Sequence, residues 1–355
     1  MTLNGKISKK IDMEIGTPQG SRLSPLLFLI LMADLDQCVV KSHLSNFADD
    51  TQSIVIAESQ EEAVEITHQE SKSVLRFFSG VGLVNNPKKA ALLFNSKGKG
   101  SEVSMEVGGI TLKSKESEKL LGLHIASNFE WKAHVDKLSS VLRQRLGMLK
   151  RIKNKIQPSK MKIVAEAIFT SKLRYGLAAY GTPKFDFQSD DPMDTGLQRL
   201  QILQNQMIRV VCNHRRRDHV EMKKEREKMR MMSVNQLAVY HVGMEMFNIM
   251  VKSSANTIRE KIILQDHPRY ELRNRKNGQV RVPDRPTKKC IGFSYSGPKL
   301  YNHLPEEIKM TTKSSHFKTL LKSWIWENIP SIQLPKSKTL LFESFCISAV
   351  KLLLG

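Results

Sequence analysis

Two adjacent carboxylates, Asp49 and Asp50, interrupt a segment of strand character, and no other feature of this sequence restricts the fold as much. HLSNFADDTQSIVIA (residues 43–57) has no helical period, and Ile54, Val55 and Ile56 are β-branched. The segment therefore reads as strand, tight acidic turn, strand. A hairpin of this kind needs a sheet to join, and its tip holds both carboxylates together. Hard oxygen ligands suit Mg²⁺, and a pair of such ions can activate a 3′-hydroxyl and stabilise a leaving pyrophosphate. The simpler reading is that Asp is a favoured turn residue and that an exposed Asp-Asp is only a turn.

Upstream lies Gly16-Thr17-Pro18-Gln19-Gly20-Ser21-Arg22-Leu23-Ser24-Pro25-Leu26-Leu27-Phe28. The glycines and Pro18 predict a tight loop against which a ligand or another backbone can pack. Gln19 offers a donor and acceptors. Ser24-Pro25 is expected to cap an apolar core helix running through PLLFLILMADLDQCVV. Asn4-Gly5 signals a hairpin turn within residues 3–15. Residues 60–80 predict a helix ended by Gly80 and Gly82, with Ala63, Val64, Ile66, Val74, Leu75, Phe77 and Phe78 as its apolar positions. ALLF, VSMEV and ITL predict short strands around Gly-rich turns. From about Ser117 the chain is expected to be helical. Leu138, Val141, Leu142, Leu146 and Leu149 recur at helical spacing, with Arg143, Arg145, Lys150 and Arg151 between them. Further helices are expected over 159–179, over LQRLQILQNQMIRVVC and over SVNQLAVYHVGMEMFNIM. GTPKFDFQSDDPMDTG reads as a linker, and the apolar tail TLLFESFCISAVKLLLG as a packed or amphipathic helix.

Charge and cysteine usage narrow the function classes. The 355 residues include 56 Lys and Arg against 35 Asp and Glu, a net charge of +21. Such a surplus points to a polyanion, nucleic acid before membrane, although a solvated basic face gives the same count. Cys38, Cys212, Cys290 and Cys346 form no Cys-x-x-Cys pair, which argues against a zinc ribbon. Cys212, His214 and His219 lie close in sequence without metal-ligand spacing, and read as a buried thiol beside surface histidines. Unpaired cysteines suit a reducing compartment. MTLNGKISKK has no apolar core of a signal peptide, and Leu26–Ala33 is too short to span a bilayer, so an intracellular place, nucleus or cytoplasm, is expected.

The order G-x-PQG-x-x-LSP-x-x-F, a helix, then Phe47-Ala48-Asp49-Asp50 at a hairpin resembles the palm of reverse transcriptases. Gly82-Leu83 followed by Asn86-Pro87-Lys88-Lys89-Ala90 resembles the next palm motif, with Ala90 where Thr is usual. Leu121-Gly122-Leu123 with Trp131 and His134 resembles the primer-grip strand leading into the thumb. LQILQNQMIRVV, Phe293-Ser294-Tyr295-Ser296-Gly297, Leu300-Tyr301-Asn302-His303-Leu304-Pro305 and Phe317-Lys318 resemble post-thumb segments of non-LTR retrotransposon proteins of the jockey and CR1 type.

The resemblance implies an α+β chain: a partial palm (1–115), a thumb-like helical region (116–180), a linker (181–196) and a basic helical region (197–355). It implies RNA-templated DNA synthesis with two Mg²⁺ ions on an RNA template and DNA primer from deoxynucleoside triphosphates, with no membrane and no obligate protein partner. Asp49 and Asp50 are then the metal ligands, and Lys89 lies near the triphosphate. Gln19, Gly20, Phe47 and Ala48 line the substrate. Arg143, Arg145, Lys150, Arg151, Arg215, Arg216 and Arg217 are expected on phosphates. It also implies that the strand carrying the first catalytic Asp, with the fingers, precedes Gly16 and is missing, so this chain is expected not to polymerise. Asp12, Asp34 and Asp36 do not replace it. The alternative is a non-catalytic retroelement remnant that binds nucleic acid.

Overall fold

The computed structural model describes residues 2–3, 6–7, 16–17, 20–86, 89–95, 102–186, 194–215, 217–252, 280–282, 292–329 and 348–353. The protein is α+β, with small antiparallel sheets followed by a long helical stretch. It divides into two compact units, residues 1–118 with 345–355, and residues 119–344.

In the first unit, β1 (Thr2–Leu3) and β2 (Lys6–Ile7) pair with Leu3 opposite Lys6. The expected Asn4-Gly5 turn lies between them, outside the described residues. Helix α1 (Ser24–Leu31) is shorter than expected and gives way to a 3₁₀ turn over Leu35–Cys38. Its N-cap is Leu23 rather than Ser24, and Ser21 Oγ accepts the Leu23 N–H at 3.2 Å. Nor is α1 the core helix expected: none of its residues is buried, and Leu26, Leu27, Leu29 and Ile30 are exposed. An apolar surface on every side gives a helix no preferred inward face. Only Met32 and Leu35, just beyond it, are buried in the core.

Strands β3 (Ser42–Phe47) and β4 (Asp50–Val55) form the predicted acidic hairpin, Phe47 opposite Asp50. Helix α2 (Gln60–Gly80) follows from a capping arrangement. Ser59 accepts from Glu62 N at 3.1 Å, and the Glu62 carboxylate reaches back to Glu58 N at 3.3 Å. It ends in a Schellman motif: Leu83 N bonds Phe78 O, Gly82 N bonds Ser79 O, and Gly82 takes φ 75°. Glu70, near the middle of α2, accepts from the backbone N–H groups of Val40 and Lys41 at 2.8 and 2.6 Å. That bond fixes the chain just before β3.

Strands β5 (Ala91–Phe94), β6 (Ser104–Val107) and β7 (Ile110–Lys113) fall where expected, and β6 and β7 pair as a hairpin. Ala63, Val74 and Phe78 of α2 share a core with Leu92, Phe94, Met105, Val107 and Leu112. The tail departs from the expected helix. Residues 348–353 form β10, inserted between β4 and β5, so the sheet order is β3-β4-β10-β5. Ser348 faces both Val55 and Phe94, and Lys351 faces both Gln52 and Ala91. A segment with ladder partners on both sides gains more backbone pairing as a strand than any packed helix offers.

At the passage to the second unit, β8 (Ser117–Leu120) and β9 (Leu123–Ala126) form a two-stranded sheet; the residue pattern alone gave helix from about Ser117, whereas the primer-grip resemblance implied a strand here. The turn between them holds Leu121 at φ 44°, an unfavourable conformation for a branched side chain. Tyr175 Oη braces it by donating to Leu121 O at 2.7 Å. Helix α3 (Lys132–Ile152) buries Leu138, Leu142, Leu146 and Leu149, as its spacing predicts. The single helix expected over 159–179 is divided into α4 (Pro158–Ala165), a π-helical turn (Glu166–Thr170), α5 (Ser171–Arg174) and α6 (Leu177–Tyr180).

After Asp194 come α7 (Thr195–Val211), α8 (Met222–Met229) and α9 (Val234–Lys252). Helices α10 (Phe293–His303), α11 (Glu306–Lys309) and α12 (Ser314–Asn328) follow. Both described ends of 181–196 are tied down. Lys184 exchanges two backbone hydrogen bonds with the Asn235 amide at 2.7 and 2.6 Å, and Phe185 is buried. Asp194 caps α7 through Gly196 N at 2.6 Å and Leu197 N at 3.3 Å; burial pushes its carboxyl above the ordinary range, against those bonds.

Gln201 and Gln204 of LQILQNQMIRVV are buried, while Gln206 is exposed. Gln201 donates to Gln204 and Asn205, Val234 N donates to Gln201, and Gln204 donates to Met232 O, all at 2.8–2.9 Å. Buried Arg226 joins through Asn205 at 2.9 Å. This network fixes α7 against the turn into α9, because a buried amide left unpaired would cost about 1–3 kcal/mol.

Candidate nucleotidyl-transfer site and nucleic-acid interface

The β3–β4 turn consists of Ala48 and Asp49, and Ala48 takes φ 52°. A non-glycine residue in the left-handed region costs of order 1 kcal/mol, so the rest of the hairpin must hold it there. Phe47, Ala48 and Asp49 are exposed and Asp50 is half-buried. Both carboxylates thus stand at the edge of the sheet, within reach of a ligand.

Gln19 lies outside the described residues. Gly16 and Gly20 on either side of it take φ 86° and 85°, so the predicted loop turns in the conformation glycine favours. Lys89 is exposed just before β5, its N–H bonded to Asn86 O at 3.1 Å. The sheet register relates it to the acidic turn. Leu353 faces Asp50 on one side of β10, and Lys351 faces Ala91 on the other. β5 begins at Ala91, and Lys89 lies in a 3₁₀ turn just before it, beyond the last ladder pair. Asp49, Asp50 and Lys89 therefore share one end of the sheet.

Mg²⁺ is held by one or two carboxylates and keeps several waters. Asp49 and Asp50 fit one such ion. A metal pair needs a further carboxylate from a neighbouring strand, and the strands beside β4 are β3, Ser-His-Leu-Ser-Asn-Phe, and β10, Ser-Ala-Val-Lys-Leu-Leu. Among the described residues the only cluster of three side chains with metal-ligand chemistry is Cys212, His214 and Glu225. Among the described residues Asp49 and Asp50 thus fit one hydrated ion, and no neighbouring strand supplies the further carboxylate that a pair needs.

The basic candidates lie on and around α3 and α7. These helices run side by side in the same direction. Asp136 pairs with Arg199 at 2.6 Å near their starts, and Lys153 Nζ meets Asn213 Oδ1 at 3.0 Å near their ends. Arg143, Lys150 and Arg151 are exposed on α3, and the end of α3 is tied by Lys153 to the loop that carries exposed Arg215 and Arg217. Arg216 is outside the described residues. Arg145 differs: its guanidinium donates to Ile168 O in the π-helical turn. Its position interleaved with the apolar stripe gave no sign of that bond.

Trp131 and His134, matched to the primer-grip segment, pack inward. The His134 ring lies 4.6 Å from the Tyr180 ring and accepts from His124 N at 3.2 Å through Nδ1. Burial, with His124 and Lys172 adding to it, holds its pKa down at about 4.

Sequence reasoning missed the third member of the Cys212–His214 cluster. It is not His219, which is exposed, but Glu225, contributed by the next helix. Burial, then Glu225, pushes the Cys212 thiol up to about 12.

Residues 2–125 match the family model described as reverse transcriptase (RNA-dependent DNA polymerase). The match contains the acidic hairpin, the Gly16–Phe28 segment and Lys89, and it ends in β9. No curated protein and no solved structure matches the chain. Among the described residues no helix is long and apolar enough to cross a membrane.

Proposed function

We propose that this chain derives from the RNA-directed DNA polymerase of a non-LTR retrotransposon of the jockey or CR1 type, and that as it stands it binds template and primer without extending them. In this reading residues 1–115 are palm, 116–180 thumb, 181–196 a linker and 197–355 a basic extension, acting in the nucleus or cytoplasm. Asp49 and Asp50 hold Mg²⁺, Lys89 faces the triphosphate, and Gln19, Gly20, Phe47 and Ala48 border the incoming deoxynucleotide. Arg143, Lys150, Arg151, Arg215 and Arg217 contact phosphates without reading bases.

The observation that carries it is the acidic turn at a sheet edge inside the matched region. What argues against turnover is the strand beside that turn, which brings no carboxylate. Without it the attacking 3′-oxygen lacks its metal, and even misplacement by about an ångström costs roughly a hundredfold.

The test is primer extension on an RNA template with Mg²⁺ or Mn²⁺, beside an Asp49→Ala control. No extension is expected from either protein. Extension that depends on Asp49 would overturn the inactive reading. Filter binding of an RNA–DNA duplex is expected to weaken with salt at a log–log slope of roughly −4, from five exposed cations on phosphates. A flat titration would remove the nucleic-acid reading.

A further inference from the structure

Helix α7 ends in a Schellman motif with an asparagine in the left-handed position. His214 N bonds Arg209 O at 2.8 Å, Asn213 N bonds Val210 O at 3.3 Å, and Asn213 takes φ 58°. This backbone fixes Cys212 and His214 on either side of one residue. Across the following loop, Glu225 and Met229 lie one turn apart on α8, so they share a face. That face meets the end of α7: Cys212 Sγ is 3.5 Å from Met229 Sδ, and His214 Nε2 is 3.5 Å from Glu225 Oε1. One ligand atom each from Cys212, His214 and Glu225 lies within 4.8 Å of the other two. His214 Nε2 is shut off from solvent and has no hydrogen-bond partner, although all three side chains are only half-buried.

We propose that Cys212, His214 and Glu225 form a Zn²⁺ site that ties the end of α7 to α8 and holds the arginine loop between them. The donor set selects the ion. A thiolate excludes Mg²⁺ and Ca²⁺, and an imidazole with a carboxylate favours Zn²⁺ over Cu⁺. Zinc bonds of about 2.0–2.3 Å need donors roughly 3.3–3.8 Å apart, so side-chain rotation of about an ångström closes the cluster on the ion. The fourth position is left to water.

The loop so closed is already braced. Arg209 donates to Arg215 O and Asp218 O, both at 3.1 Å, and Arg215 N donates to Asp218 Oδ2 at 2.6 Å. Zinc adds the link to α8 that these bonds do not supply. The site stands independently of the polymerase reading, since no group near Asp49 enters it.

The experiment is a Co²⁺ titration of the reduced, full-length chain, followed by Zn²⁺ displacement. One equivalent of Co²⁺ is expected to give a thiolate charge-transfer band that Zn²⁺ abolishes. Cys212→Ser is expected to remove the band, and Glu225→Gln to weaken Co²⁺ binding at least tenfold. Zn²⁺ is also expected to slow tryptic cleavage after Arg215 and Arg217 several-fold in the wild type and not in Glu225→Gln. Should Cys212→Ser fail to fold, the half-exposed Glu225 variant still decides the question. A wild-type chain with free thiols and no band overturns the proposal. So does a band that survives Cys212→Ser, or binding indifferent to Glu225→Gln.

Discussion

His134 makes one side chain a source of acid sensitivity. In the fold its pKa is about 4, against 6.5 for an ordinary histidine, because the ring is buried against Tyr180. The unfolded chain therefore binds the proton more readily. The stability contributed is complete above pH 6.5 and is lost as pH falls through 6.5 toward 4. His134→Asn keeps an acceptor near the Nδ1 position and cannot titrate. Thermal melts across that window are expected to show a shallower pH dependence than wild type; an unchanged slope would place the sensitivity elsewhere.

Gly82 offers a cleaner backbone test. A Cβ there meets nothing within 4 Å, yet φ is 75°, so Gly82→Ala isolates the left-handed penalty. A loss of about 1 kcal/mol by denaturant titration is expected. At this scale the sequence was informative wherever the determinant is local. The acidic turn, the glycine stop of α2 and the leucine stripe of α3 all follow from neighbours within a few positions. Glu225 was not legible beside Cys212 and His214, because the loop that returns it has no pattern in one dimension. Nor was the inward turn of Arg145, which answers a carbonyl in a π-helical turn that periodicity does not register.

Among the elements, β10 carries the most weight for the first unit. It supplies one side of the ladder to both β4 and β5. Val350→Pro removes a ladder donor from a strand paired on both sides, which a central strand does not tolerate. Hydrogen exchange is expected to lose protection over 42–55 and 91–94, while 197–211 in the other unit stays protected. Equal loss in both stretches would refute that separation. The apolar tail, broken by Glu343 and Lys351, suggests a packed or amphipathic helix in sequence. Its strand state is set by partners near residues 50 and 91, and no window of sequence contains both. The β8–β9 hairpin leaves no trace in periodicity for a different reason, and only the primer-grip resemblance implied a strand there: its determinant is a left-handed turn begun by Leu121, a residue that does not advertise one.

Taken whole, the molecule was legible in class. Strand patterns before residue 113 and helical periods after 132 give α+β directly. The return of the last strand to the first unit is what a linear reading cannot supply. That return also orders events in time. A ribosome delivers the chain from one end, and the second unit's helices contact one another within residues 119–344, so that unit can assemble as it emerges. The first unit emerges earlier and yet waits longer: β4 and β5 acquire their shared neighbour only when residues 348–353 leave the exit tunnel. Throughout that interval the edges of β4 and β5 that β10 later covers stay unpaired. The first unit is thus the last of the two to complete its sheet, and the wait is set by the length of chain between β5 and β10 rather than by the stability of the finished sheet.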